Sequence, residues 1–221
     1  VRIEPDDGAY DRADSLSSEG RGGVDDHDTP PQSGRFEGGC NTGNSSPQDA
    51  NVYNLRGIAY ARKGDSAHSI ADFSRAIEIE PGNDFGYFNR GITYSQNGDH
   101  DRAILDFDRA SQLNPQLKGI YSHRGMAYAN KGDYDRAISD FDKEIQLNPE
   151  DAFVYNNRGA TYANKGEVNR AIADYSKAIQ LKPDFILAYR NRAGAYEKMG
   201  DRAKAKADSD KLAELEKHKS Q

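Results

Sequence analysis

One spacing constrains this chain more than any other feature: from residue 50 onward its residues recur at a step of 34. Gly57, Gly91, Gly125 and Gly159 keep that step, with Ala193 next in line. So do the tyrosines from Tyr53 to Tyr189 and from Tyr60 to Tyr196, the glycines from Gly64 to Gly200, and Pro81, Pro115, Pro149 and Pro183. No insertion breaks the register over five units. Such a period means that one small unit, unable to bury its apolar face alone, stacks on copies of itself.

Each unit reads as two helices. In the unit 118–151, Tyr121, Gly125 and Tyr128 fall at i, i+4, i+7 and share one helical face. Gly132-Asp133 then turns the chain, because glycine accepts the left-handed conformation that closes a helix. A second apolar stripe runs through Ala137, Phe141, Ile145 and Leu147 until Pro149 stops it. The mid-helix Gly125 costs about 1 kcal/mol relative to alanine. That loss makes sense if a neighbouring helix must pass close to it.

Tyr87, Gly91, Tyr94, Gly98, Asp99, Ala103, Phe107, Ala110 and Pro115 of one unit resemble the signature of the tetratricopeptide repeat (TPR) family. The resemblance covers residues 50 to about 219, in units 50–83, 84–117, 118–151, 152–185 and 186–219. Ser69 departs from it where alanine is usual, Glu144 where a small residue is usual, and tyrosine replaces tryptophan throughout. The last unit carries Ser209 and Lys217 in place of Phe and Pro, which fits a terminal helix with no following repeat to pack against. The resemblance implies an all-α fold, a right-handed superhelical solenoid of antiparallel helix pairs with each first helix lining a concave groove. The Asn-Arg-Gly and Asp-Arg-Ala-Ile wording points to a bacterial member.

Two charged series run with the repeat. Arg56, Arg90, Arg124, Arg158 and Arg192 stand beside the small core residue, and Asp72, Asp106, Asp140, Asp174 and Asp208 follow each by sixteen residues. Folding each hairpin at its turn brings the series together, so a ladder of Arg–Asp pairs is expected rather than an anion-binding row of arginines. Pairs of this kind specify geometry more than they add stability.

Function is expected on the side of each first helix opposite its tyrosine stripe. Phe85, Asn89, Ile92 and Gln96 are offset by two residues from Tyr87, about 200 degrees around the helix. A solvated face should be polar, yet this one carries Phe85 and Ile92, with Phe88 beside them, Met126 in the third unit and Phe153 in the fourth. Asn89, His123, Asn157 and Asn191 share one slot along the array. Apolar residues on a wet face mark an interaction surface, and a row of amides can hydrogen-bond the main chain of an extended peptide. Against this stands packing of Phe85 and Phe153 onto the preceding helix, and a plain hydrogen-bonding role for His123. Some members of the resembled family clamp acidic chaperone tails with Lys, Asn and Arg. Carried over slot by slot, that clamp meets Asn54, Ile58, Asn89, Gly119 and His123, of which Asn89 alone fits.

Composition narrows the function classes. The net charge of −6 lies wholly in residues 1–48, which hold ten acidic and four basic side chains. The remainder is neutral and offers no field for nucleic acid or anionic lipid. No run approaches the 18 or so apolar residues of a membrane-spanning helix. Residues 1–48 are rich in Gly, Asp, Ser and Pro with scattered apolar residues, and are expected to be disordered. A decayed earlier repeat is the alternative, since Ile3-Glu4-Pro5 resembles Ile79-Glu80-Pro81 and Ala9-Tyr10-Asp11-Arg12-Ala13 has a repeat-like wording. The repeat domain then spans 49–221.

Chemistry is sparse. Asp133, Asp135, Asp140, Asp142 and Glu144 lack the turn glycine of a calcium loop, where Ile138 stands instead. The histidines at 27, 68, 100, 123 and 218 have no metal-ligand spacing. Cys40 is the single cysteine, and Asn44-Ser45-Ser46 is a glycosylation sequon. No nucleophile with its base is evident. The expectation is a non-catalytic scaffold without cofactor or metal, binding a peptide segment of a protein partner through Phe85, Phe88, Asn89, Ile92, His123, Met126, Phe153, Asn157 and Asn191. The alternatives are the recognition arm of a larger enzyme, such as a glycosyltransferase or signalling protein, and self-association. A cytoplasmic location is favoured, without membrane insertion.

Overall fold

The structure is a computed structural model and describes residues 46–219, with side chains to Lys217. Among them are ten helices and no strand. They run α1 Pro47–Arg62, α2 Ser66–Ile79, α3 Asp84–Gln96, α4 His100–Leu113 and α5 Ile120–Asn130. Then come α6 Tyr134–Leu147, α7 Ala152–Lys165, α8 Val168–Leu181, α9 Ile186–Met199 and α10 Arg202–Lys219. The expected tail, its decayed repeat, Cys40, the Asn44 sequon and His27 lie outside the described residues. Helix α1 starts two residues before the expected boundary at 49, because Pro47 sits at its first position and the Ser46 amide donates to Asp49 Oδ2 at 2.7 Å.

Each odd helix pairs with the even helix after it, and each even helix packs on the next odd one. The odd helices also touch in series, α1 on α3 through α7 on α9. Short aspartates start the second helices: Asp65, Asp99 and Asp133 accept from the backbone amides of His68, Arg102 and Arg136. Before them, Gly98 has φ +79°, a conformation a side chain would strain. Without a proline at 217, α10 runs on for eighteen residues, where its counterparts have fourteen.

The hairpins close on the predicted small-beside-large contact. A Cβ built on Gly91 would lie 2.8 Å from the Phe107 ring, and one on Gly159 2.8 Å from Tyr175. Phe73, Phe107, Phe141 and Tyr175 are fully buried, one in each of the first four hairpins. The Arg–Asp ladder forms as expected, with Arg90 Nε and Nη2 donating to both oxygens of Asp106 at 2.8 Å, and likewise at Arg56, Arg124, Arg158 and Arg192. Each later arginine also reaches back across the seam between hairpins. Nη1 of Arg90, Arg124, Arg158 and Arg192 donates to Ser74, Asp108, Asp142 and Ser176 in turn. Burial pushes the Asp174 carboxyl up while Arg158 pulls it down.

Glu144 departs from the repeat for a local reason. Gly119, the residue before α5, has φ +85° and no side chain to cap the helix. The fully buried Glu144 of α6 takes over, its Oε1 accepting from the Gly119 amide at 2.9 Å and from Asn148 Nδ2 at 2.5 Å. Its Oε2 is buried without a partner, and burial pushes this carboxyl up.

Candidate functional site

The expected groove residues occupy two different surfaces. Phe88, Asn89, Ile92, His123, Met126 and Asn157 are all at most 7% exposed. Phe85, Phe153 and Asn191 are half-buried. The expectation of an open, solvated stripe is therefore corrected for the first six. A first helix in a solenoid has two packed faces, one against its own second helix and one against the preceding second helix. The offset of about 200 degrees from Tyr87 falls partly on that second face.

The slot of Asn89, His123, Asn157 and Asn191 runs along this seam. The His123 ring sits edge-on to Phe88 at 5.4 Å and tilted to Phe107 at 6.0 Å. Asn157 Nδ2 donates to Met126 Sδ at 3.5 Å, Asn156 Nδ2 to Asn157 Oδ1 at 3.4 Å, and Asn191 Nδ2 to Asn156 Oδ1 at 3.1 Å. These amides bond one another across the last two units and reach the Met126 sulfur of the third. Phe153 lies tilted against Phe185 at 4.8 Å between ring centroids, with the Lys182 ammonium over both rings, and Phe85 packs against the cluster around Phe88. Packing onto neighbouring helices, the alternative weighed for Phe85 and Phe153, accounts for part of their surface.

Beside that slot the first helices carry a second row of buried residues. It runs through Asn54 and Ile58 in α1, Phe88 and Ile92 in α3, Met126 in α5, and Asn156 and Ala160 in α7, each pair at i, i+4. One step further, Gln96, Asn130 and Asn164 are exposed and keep the 34-residue step. Asn54 is 8% exposed, and its Oδ1 is buried without a hydrogen-bond partner. From sequence, Asn54 stands out only as a misfit in the chaperone clamp, and Asn156, Asn130 and Asn164 lie outside the expected set. Their signal was the same step of 34, read in one slot only.

Among the described residues, no group of three or more His, Cys, Asp or Glu could hold a metal ion. The acidic run at 133–144 is engaged otherwise: Asp133 caps α6, Asp135 pairs with Lys165, and Asp140 and Asp142 hold Arg124 and Arg158. Nor is any described helix long and apolar enough to cross a membrane.

Known proteins extend this picture. Models described as TPR repeat match residues 125–166 and 161–200, and models described as tetratricopeptide repeat match 85–117 and 50–83. A crystal structure of MamA superposes with a TM-score of 0.69 at 30% identity, covering 74% of this chain and 96% of that one. MamA from Desulfovibrio magneticus RS-1, residues 41 to the end, gives 0.73 at 21% identity, covering 78% and 98%. YrrB, described as a TPR protein with an unusual peptide-binding site, gives 0.63 at 19% identity, covering 76% and 87%. No curated protein sequence matches the chain. The solenoid is thus a right-handed superhelix of antiparallel helix pairs.

Proposed function

The chain belongs to the tetratricopeptide repeat family, a fold that serves as a protein-interaction scaffold, and on that premise we propose that it binds a peptide segment of a protein partner along its inner face, without catalysis of its own. One observation carries the proposal: Asn54 Oδ1 in α1 is a buried acceptor with no donor among the described residues. Leaving such a group unsatisfied costs about 1–3 kcal/mol, which a backbone N–H of an extended ligand would recover. Ile58, Ile92 and Met126 supply apolar floor beside it, and Gln96, Asn130 and Asn164 an exposed amide rim. Phe85, Phe153 and Asn191, the half-buried members of the expected set, complete the contacts. The neutral balance of the repeats favours a peptide over nucleic acid. The peptide-binding site ascribed to YrrB, of the same fold, supports this reading.

The test selects ligands from a displayed peptide library with the full chain and titrates the best peptide. Asn54→Leu and Met126→Ala should each weaken it about tenfold, equal to about 1.4 kcal/mol. Arg75→Ala, on the far side of α2, should not. Unchanged affinity in both groove variants, with helicity retained, refutes the proposal.

A further inference from the structure

One face of α1 differs from the same face of the four later first helices. Val52 and Leu55 are 60% and 57% exposed, and Ala59 on the next turn is exposed too. The Arg56 side chain among them is 55% exposed, against 17–20% for Arg90, Arg124, Arg158 and Arg192. Arg56 holds Asp72 through Nε and Nη2, and its Nη1 makes no hydrogen bond among the described residues. At the later seams the preceding second helix covers this face. There a Cβ on Gly86 would lie 3.0 Å from Ile77 Cγ1, and each arginine Nη1 finds an oxygen on Ser74, Asp108, Asp142 or Ser176.

Helix α10, at the other end, carries the complement. One step of 34 beyond Ser176 in the row of seam acceptors stands Asp210, exposed and held by Lys206 of its own helix at 2.7 Å. One step beyond Ile179 in the row of Ile77 stands Ala213, also exposed. One step before Gly86 stands Val52. The unused guanidinium N–H of α1 thus has a carboxylate waiting in its slot on α10, and the exposed valine has a small residue in its slot. Lys206 stands where Ile70, Ile104, Ile138 and Ile172 stand at the internal seams, so a contact through this face is less apolar than they are.

We propose that the exposed face of α1 is a docking surface for α10 of a second copy of this chain, with Asp210 of one molecule accepting from Arg56 Nη1 of the next and Ala213 lying over Val52. Charge complementarity selects this occupant, since a guanidinium N–H gains most from a carboxylate. The two surfaces are different, so the contact is head-to-tail and leaves a free α1 and a free α10 for further copies. One helix face is a small interface, of the class that gives weak and transient association. Its charges lie near solvent, so salt weakens it.

Sedimentation velocity of the full chain, without any ligand, tests this over a concentration series. The mean mass should rise with concentration at low salt and return to that of the monomer at high salt. Asp210→Lys sets a like charge against Arg56 and should raise the concentration for half-association about tenfold or more, with helicity unchanged. A fixed monomer mass, whatever else takes the α1 face, overturns the proposal, as does equal association of Asp210→Lys. Direction is read from two chains, both Cys40→Ser, one with Val52→Cys and the other with Ala213→Cys. Their later counterparts are the neighbours Gly86 and Ile77. Mixed and mildly oxidised, they should give the mixed dimer in excess over either homodimer. Homodimers in equal or greater amount would mean a contact other than head-to-tail, and would equally overturn it.

Discussion

The Gly–aromatic contacts inside each hairpin make a prediction with an internal control. Gly91 lies in the middle of α3, where alanine should gain about 1 kcal/mol from helix propensity. A Cβ there would lie 2.8, 2.9 and 3.2 Å from three atoms of the Phe107 ring. That ring is fully buried, so the variant falls in the overpacking range of about 1–3 kcal/mol. Gly91→Ala should therefore lose about 1–2 kcal/mol net. Gly194 occupies the middle of α9, and a Cβ there meets nothing within 4 Å. Gly194→Ala should gain about 0.5–1 kcal/mol from the same propensity. Urea unfolding followed by circular dichroism measures both, with unchanged slope showing that midpoint shifts report stability. In thermal scans each kcal/mol should move the midpoint by about 2–4 °C. A Gly91→Ala variant as stable as the original chain would refute the close-approach account of these glycines. The last unit has already made a related exchange, with Ala193 in the glycine slot and Ser209 where the ring would be.

Three further outcomes are expected. Burial raises the Glu144 carboxyl, so the folded state binds that proton more tightly than the unfolded chain, and stability should rise as pH falls from 7 toward the unfolded value near 4.5. Relative to Glu144→Gln, the original chain should thus gain stability in urea titrations at pH 5 over pH 7, and the opposite sign would refute the assignment. Asp108→Ser should cost under about 1 kcal/mol, because a serine already holds the equivalent arginine at Ser74 and Ser176. Asp108→Leu should cost about 1–3 kcal/mol by leaving a half-buried guanidinium N–H unmatched, and equal midpoints for the two variants would show that the seam bond is immaterial.

Much of this architecture is legible in the residues themselves. A step of 34 held over five units locates the hairpins, and the constant sixteen-residue offset pairs Arg90 with Asp106 before any coordinates exist. Glycine opposite phenylalanine announces the close helix approach. What stays hidden is whatever depends on a third helix. Asn89, His123 and Asn157 look solvent-facing when one helix is wound on paper, since that construction allows a single buried side, whereas stacking buries a second. The cap on α5 is hidden for the same reason: Gly119 and Glu144 are each odd alone and explain one another only when α5 and α6 are side by side. The unpartnered Asn54 oxygen depends likewise on which helices happen to surround it.

The arginines that span the seams do not all meet the same acceptor. Asp108 and Asp142 close the two middle junctions at 2.6 and 2.5 Å, and Ser74 and Ser176 the two outer ones at 2.9 Å. A guanidinium gains more from a carboxylate than from a hydroxyl, and in a linear array each joint answers to its neighbours alone. Under tension the molecule is therefore a graded spring, stiff at its centre and yielding at its extremities, which peels inward hairpin by hairpin and keeps its middle hairpins intact longest.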